Sequence, residues 1–145
     1  MSGCLVDPAH VVLDLAAGSR DEAVRAVAEL LQGDARIGSW DAFWNSIGPK
    51  QVVDLKGCGC GVCLAHGRDG TVRDLVLAAG RLPAGTDATL PRFVFVFGIP
   101  AAMAEDYLRV VGALARVCGE EKKMGALKKA ATPAEFAGAL EGLLG

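Results

Sequence analysis

Apolar residues recur along this chain at two spacings, and each change of spacing marks a new element. Val11-Val12-Leu13-Asp14-Leu15 predicts a short strand. Ser19 then opens a helix, with Glu22 three residues on as the second half of a capping box. Val24, Val27, Ala28 and Leu31 follow at helical spacing, and Gly33 is a natural stop. Ser39 predicts the cap of a shorter helix carrying Trp40, Phe43, Trp44 and Ile47, ended by Gly48-Pro49.

The middle of the chain changes character. Lys56 to Gly61 alternates glycine with small residues, and Val62 to His66 becomes strand-like. Leu75 to Leu82 is a second strand candidate, closed by Pro83. Phe93-Val94-Phe95-Val96-Phe97 is apolar at every position, which predicts a strand in the middle of a sheet covered on both faces. Helical spacing returns in the last third. Tyr107, Leu108, Val111, Leu114 and Ala115 mark one stripe, ended by Gly119. Met124, Leu127 and Ala131 predict a shorter helix. Thr132-Pro133-Ala134-Glu135 is a second capping box with proline at the first helical position, and Phe136, Leu140 and Leu143 then face the core. This order of elements predicts an α/β layered fold without fixing the connectivity of its sheet.

Composition narrows the class. The chain has 145 residues, 52% of them apolar and 22% charged, which predicts one domain spanning residues 1–145 with a sizeable core. Its net charge of −2 disfavours a nucleic-acid binder. The longest uncharged run, Phe93 to Ala104, is broken by Gly98 and Pro100 and falls short of the ~20 residues a membrane helix needs. Met1 to Pro8 lacks a basic start and a long apolar stretch, so no signal peptide is expected. The expected compartment is the cytoplasm, where the five cysteines stay reduced.

Two places carry candidate chemistry. His66 ends an apolar strand behind a glycine-rich approach and precedes Gly67-Arg68. A neutral imidazole is a nucleophile at pH 7, glycines admit close approach, and successive amides hold anions. Lys56 and Arg68 would add positive charge, so the set suits a histidine that accepts a phosphoryl group. A structural histidine is the plainer alternative. The second place is Cys58-x-Cys60-x-x-Cys63-x-x-His66, three thiols and an imidazole of zinc-donor type. Strand alternation sets Cys63 opposite Cys58 and Cys60, so a single tetrahedral site would need the glycines to break it. Cysteines used as small apolar residues are the simpler reading. No metal or other cofactor is expected. Glycines 57, 59 and 61 match neither a P-loop nor a dinucleotide fingerprint.

The stretch Gly57-x-Gly59-x-Gly61-Val62-Cys63-Leu64-Ala65-His66-Gly67-Arg68 resembles the active-site segment of the fructose/mannitol-type enzyme IIA domains of the bacterial sugar phosphotransferase system, the nitrogen-regulatory branch included. Val12 to Leu15, Ser19 to Leu31, Val76 to Pro83, Phe93 to Pro100, Leu108 to Arg116 and Thr132 to Phe136 fall in family order. The resemblance implies a mixed sheet flanked by helices in a layered sandwich. It implies a phosphohistidine at His66, a histidine phosphocarrier protein as donor and a IIB domain as acceptor. It places a lysine, Lys56, where the family has threonine, and Ala65 where it has proline. A second family histidine, beside the phosphorylated one, aligns with Tyr107. Lys56, Arg68, Tyr107, Gly57, Gly59 and Gly61 are therefore the expected phosphoryl-stabilising residues. Two further readings stand beside this one: a regulatory binding module without transfer, and a thiol or metal sensor using Cys58, Cys60 and Cys63.

Overall fold

A computed structural model describes residues 5–48, 51–55, 60–84 and 89–144. Lys56, Gly57, Cys58 and Gly59, named above as candidates, lie outside the described residues. Five strands form one sheet: β1 (Val11–Val12), β2 (Val52–Leu55), β3 (Val62–Arg68), β4 (Val76–Arg81) and β5 (Phe93–Ile99). Their spatial order is β1-β4-β5-β3-β2. The pairs β1–β4 and β3–β5 are parallel, whereas β4–β5 and β2–β3 are antiparallel, so the sheet is mixed. Helices α1 (Arg20–Glu29) and α2 (Trp40–Ser46) contribute to one core, on the face of Cys63, Ala65, Val94 and Val96. Helices α3 (Ala104–Cys118), α4 (Glu121–Lys129) and α5 (Pro133–Leu144) contribute to the other, on the face of Val62, Leu64, Phe95 and Phe97.

Strand β5 is buried at all seven positions because it sits in the middle of the sheet with helices over both faces. Both capping boxes form, with one difference. Ser19 Oγ accepts from the Glu22 amide at 3.1 Å and Thr132 Oγ1 accepts from the Glu135 amide at 3.1 Å. Each glutamate, however, accepts from the residue before the cap: Gly18 N at 2.6 Å and Ala131 N at 3.0 Å. The carboxylates also lie in the first turns, where the helix dipole favours negative charge.

Elsewhere the structure departs from the pattern. Strand β1 stops at Val12, shorter than expected, because Asp14 takes a left-handed conformation (φ 55°) that turns the chain. Strand β2 has no counterpart in the sequence reading. It is a four-residue edge strand whose Val53 is 42% exposed, so it lacks a clean alternation. On α3 the buried face runs through Leu114, Val117 and Cys118, while Leu108 is 65% exposed and Ala115 is exposed. Of the expected stripe, Tyr107, Val111 and Leu114 face the core and Val110 joins them, whereas Leu108 and Ala115 do not. After α4 it is Ala130, not Ala131, that is buried.

Candidate functional site

Strand alternation places His66 on the face shared by Val62 and Leu64, toward α3. It stands opposite Phe97 in the parallel β3–β5 ladder. Tyr107, in the first turns of α3, lays its ring against the imidazole with centroids 5.3 Å apart at 42°. The same tyrosine meets Phe97 edge-on at 5.2 Å. Tyr107 thus bridges the rings of His66 on β3 and Phe97 on β5. The sequence reading did not include Phe97 in the site. Its signal was the register, which a sequence does not print.

The electrostatics follow from burial. His66 is half-buried and its pKa is lowered by loss of hydration, so the imidazole is neutral at pH 7. Burial also raises the Tyr107 phenol, which stays protonated and able to donate. Nδ1 of His66 is buried without a hydrogen-bond partner. A reactant cannot reach a covered nitrogen, so any reaction at this ring would have to use Nε2. Arg68 lies two residues along the same face, and its Nη2 donates to the Ala101 carbonyl at 2.6 Å, fixing the guanidinium over the β5–α3 connection. Behind the strand, α2 presses on Gly67. A Cβ there would lie 2.6 Å from Phe43 Cε1 and 2.7 Å from Ser46 Oγ.

Other candidates separate from this group. Gly61 has φ 79°, a conformation suited to glycine, and its carbonyl accepts from Arg92 N at 2.9 Å. Five strand residues of ~3.3 Å each put it about 16 Å from His66, beyond contact with a phosphoryl group there. Cys63 points to the opposite face, where Arg20 Nε donates to its Sγ at 3.4 Å. Burial raises this thiol above the ordinary range, outweighing the arginine, so it is an unreactive core side chain. Cys60 packs against the His66-side core. A metal shared by Cys63 and His66 is therefore ruled out by strand parity. Among the described residues no group of three or more His, Cys, Asp or Glu side chains could hold a metal ion.

His10, the other imidazole, is 7% exposed and pairs through Nε2 with Asp34 at 3.2 Å. Burial lowers its pKa despite the opposing pull of Asp34. Both histidines are thus more acidic folded than unfolded. The stability tied to their neutral forms is fully present above the unfolded value of about 6.5 and is lost as pH falls below it toward the folded pKa values. Asp34, held low by Arg36, adds a loss at still lower pH. The thermal midpoint is expected to drop between about pH 7.5 and pH 5.5. A midpoint that stays flat over that interval, followed by circular dichroism, would contradict the burial of these rings.

By fold, this arrangement falls among the IIA domains of phosphotransferase systems. The crystal structure of nitrogen regulatory protein IIA-Ntr from Neisseria meningitidis matches with a TM-score of 0.70 and 24% identity, over 94% of this chain and 96% of that one. The IIA mannitol structure from Escherichia coli matches with a TM-score of 0.67 and 14% identity, over 93% and 98%. No curated protein sequence matches the chain. The chain belongs to the EIIA 2 family of the phosphoenolpyruvate-dependent sugar phosphotransferase system, whose sequence profile covers residues 5–142. Family and fold together support a phosphoryl-carrier role in general. Among the described residues no helix is long and apolar enough to cross a membrane.

Proposed function

We propose that residues 1–145 form one IIA-type domain that carries a phosphoryl group on His66, in the cytoplasm. The observation that supports this most is the state of the imidazole: neutral through burial, with Nδ1 covered and the ring held by Tyr107. The Nε2 lone pair attacks phosphorus of a phosphohistidine donor. The donor's P–N bond breaks as the new P–N bond forms; the donor, protonated on its second ring nitrogen, leaves as neutral imidazole, and His66, carrying its proton on Nδ1, becomes the phosphoimidazolium. Passage to an acceptor repeats the step in reverse. Family membership points to a histidine phosphocarrier protein as donor and a IIB domain as acceptor. The arriving group carries roughly −1.5 to −2 charge, by analogy with other phosphorylated side chains. Arg68 is a described cation two residues along the same face, and Tyr107 supplies a hydroxyl donor. The test is incubation with the phosphocarrier protein, its upstream kinase and phosphoenolpyruvate. One acid-labile phosphate per chain is expected. An unchanged mass would leave a regulatory binding module as the reading, which the uncharged Tyr107 favours because no second imidazole neutralises the phosphate.

The tyrosine also makes a quantitative prediction. Tyr107→His would place a second imidazole beside His66, able to add one charge-assisted hydrogen bond. Such a bond is worth about 1.5 kcal/mol, or roughly tenfold in the rate of acceptance. Rapid-quench measurement of the phosphorylated fraction checks it, and a slower variant would show that the tyrosine ring itself is required.

A further inference from the structure

On the sheet face away from His66, a cavity of about 520 Å³ opens between α1, α2 and β2. Its volume lies in the ~300–1,000 Å³ range of small-molecule sites. One wall is apolar: Val24 from α1, Trp44 and Ile47 from the α2 end, and Val52 from β2. The other is charged and balanced, with two guanidiniums, Arg20 and Arg25, and two carboxylates, Asp21 and Glu22. Arg20 is fixed in place, its Nε on Cys63 Sγ at 3.4 Å and its Nη2 on Asp54 at 3.3 Å. Arg25 lies 5.3 Å over the Trp44 ring and pairs with Glu29 at 3.5 Å. That i,i+4 pair is exposed and therefore weak, so a ligand carboxylate can take the guanidinium from it.

A balanced set of separated charges offers a polyanion such as a nucleotide no net attraction and is complementary to a molecule that is itself neutral but charge-separated. We propose that this cavity binds a free α-amino acid with an apolar side chain. Its carboxylate would meet Arg25 and Arg20, its ammonium Asp21, and its side chain Trp44, Ile47 and Val52, while Glu22 stays on the Gly18 amide and adds only its charge. Two of the cavity's walling elements, β2 and α2, touch the strand that carries His66. Val52 pairs with Ala65, and the α2 residues Phe43 and Ser46 press on Gly67. A ligand that shifts α2 therefore shifts the residues on either side of His66, and occupancy changes the rate of phosphoryl acceptance. This coupling rests on the carrier reading above, whereas the binding does not.

The test titrates the full chain with L-phenylalanine, following amide shifts by NMR, with phenethylamine and 3-phenylpropionate as analogues lacking one charge each. Saturable shifts at α1, α2 and β2 are expected, with affinity at least tenfold weaker for either analogue. The exposed variants Arg25→Gln and Asp21→Asn should weaken L-phenylalanine binding at least fivefold while retaining the wild-type spectrum elsewhere. Absent binding, equal binding of all three probes, or unchanged binding by both variants would overturn the site. In the phosphorylation assay, L-phenylalanine should alter the wild-type rate at least twofold and leave that of Arg25→Gln unchanged. An unaltered wild-type rate with intact binding would overturn the coupling alone. A chain that accepts no phosphate would overturn the carrier reading, and the titration would still decide the site.

Discussion

His66→Ala is expected to reduce phosphoryl acceptance to background while the chain stays folded. The reason is that no other group can take over. The second histidine, His10, is 7% exposed, holds Asp34 through Nε2 and has a covered Nδ1, so neither nitrogen is open to a donor. Tyr107 is beside the site, but burial keeps its phenol protonated and a weak nucleophile. The substitution removes a half-buried ring whose Nδ1 makes no hydrogen bond, so nothing polar is orphaned by its loss. The stability cost should stay near the ~1 kcal/mol typical of point changes. Intact-mass spectrometry under neutral and acidic conditions gives the phosphate, and thermal melting gives the fold. A residual acid-labile phosphate on a folded His66→Ala chain would move the acceptor to another residue and end the present reading of the site.

The elements legible in the sequence were those with strong local causes. Serine and threonine caps with their glutamates placed the starts of α1 and α5, and unbroken apolar character placed β5 at the centre of its sheet. What escaped had weak or non-local causes. Strand β2 is an edge of four residues, held by its pairing with β3 rather than by any pattern of its own. On α3, Tyr107, Val111 and Leu114 face the core as expected, whereas Leu108 is apolar yet 65% exposed and Ala115 is exposed, so hydrophobicity alone made the stripe too wide.

The site divides in the same way. His66 was legible because glycines, a strand and a basic residue surround it in sequence and because the segment resembles a family. Tyr107 was reached through that resemblance, 41 positions away. The Phe97 contact depends on the β3–β5 register, and the separation of Cys63 from His66 on strand parity. Parity was foreseeable once β3 was taken as a continuous strand. The thiol cluster looked like one site only while the glycines were allowed to break the alternation, and from Val62 onward they do not.

Arg81 had no signal at all, and it carries the second large expectation. Its place in β4 alternates with Leu77 and Ala79 on the face of α3 to α5, so a charged residue points into a core. It is 8% exposed. The guanidinium is accommodated because it reaches the end of α4, where carbonyls have no partners within the helix and carry the negative end of its dipole. Nη1 lies 2.9 Å from the Leu127 carbonyl, 3.1 Å from that of Lys128 and 2.8 Å from that of Ala130. Arg81→Met keeps much of the apolar length but leaves buried acceptors without a donor. Hydrogen bonds to a charged group contribute about 1.5–3 kcal/mol each, and the three share one nitrogen, so the expected loss is about 3 kcal/mol. For a chain of this size that lowers the thermal midpoint by roughly 10 °C. Arg81→Lys should recover part of it, since an ammonium donates to carbonyls but on a shorter stem. Urea titration of the three proteins gives the comparison. A loss below ~1 kcal/mol in Arg81→Met would mean that water satisfies the α4 carbonyls, and the arginine would then be a surface residue rather than the fastener between the sheet and its C-terminal helices.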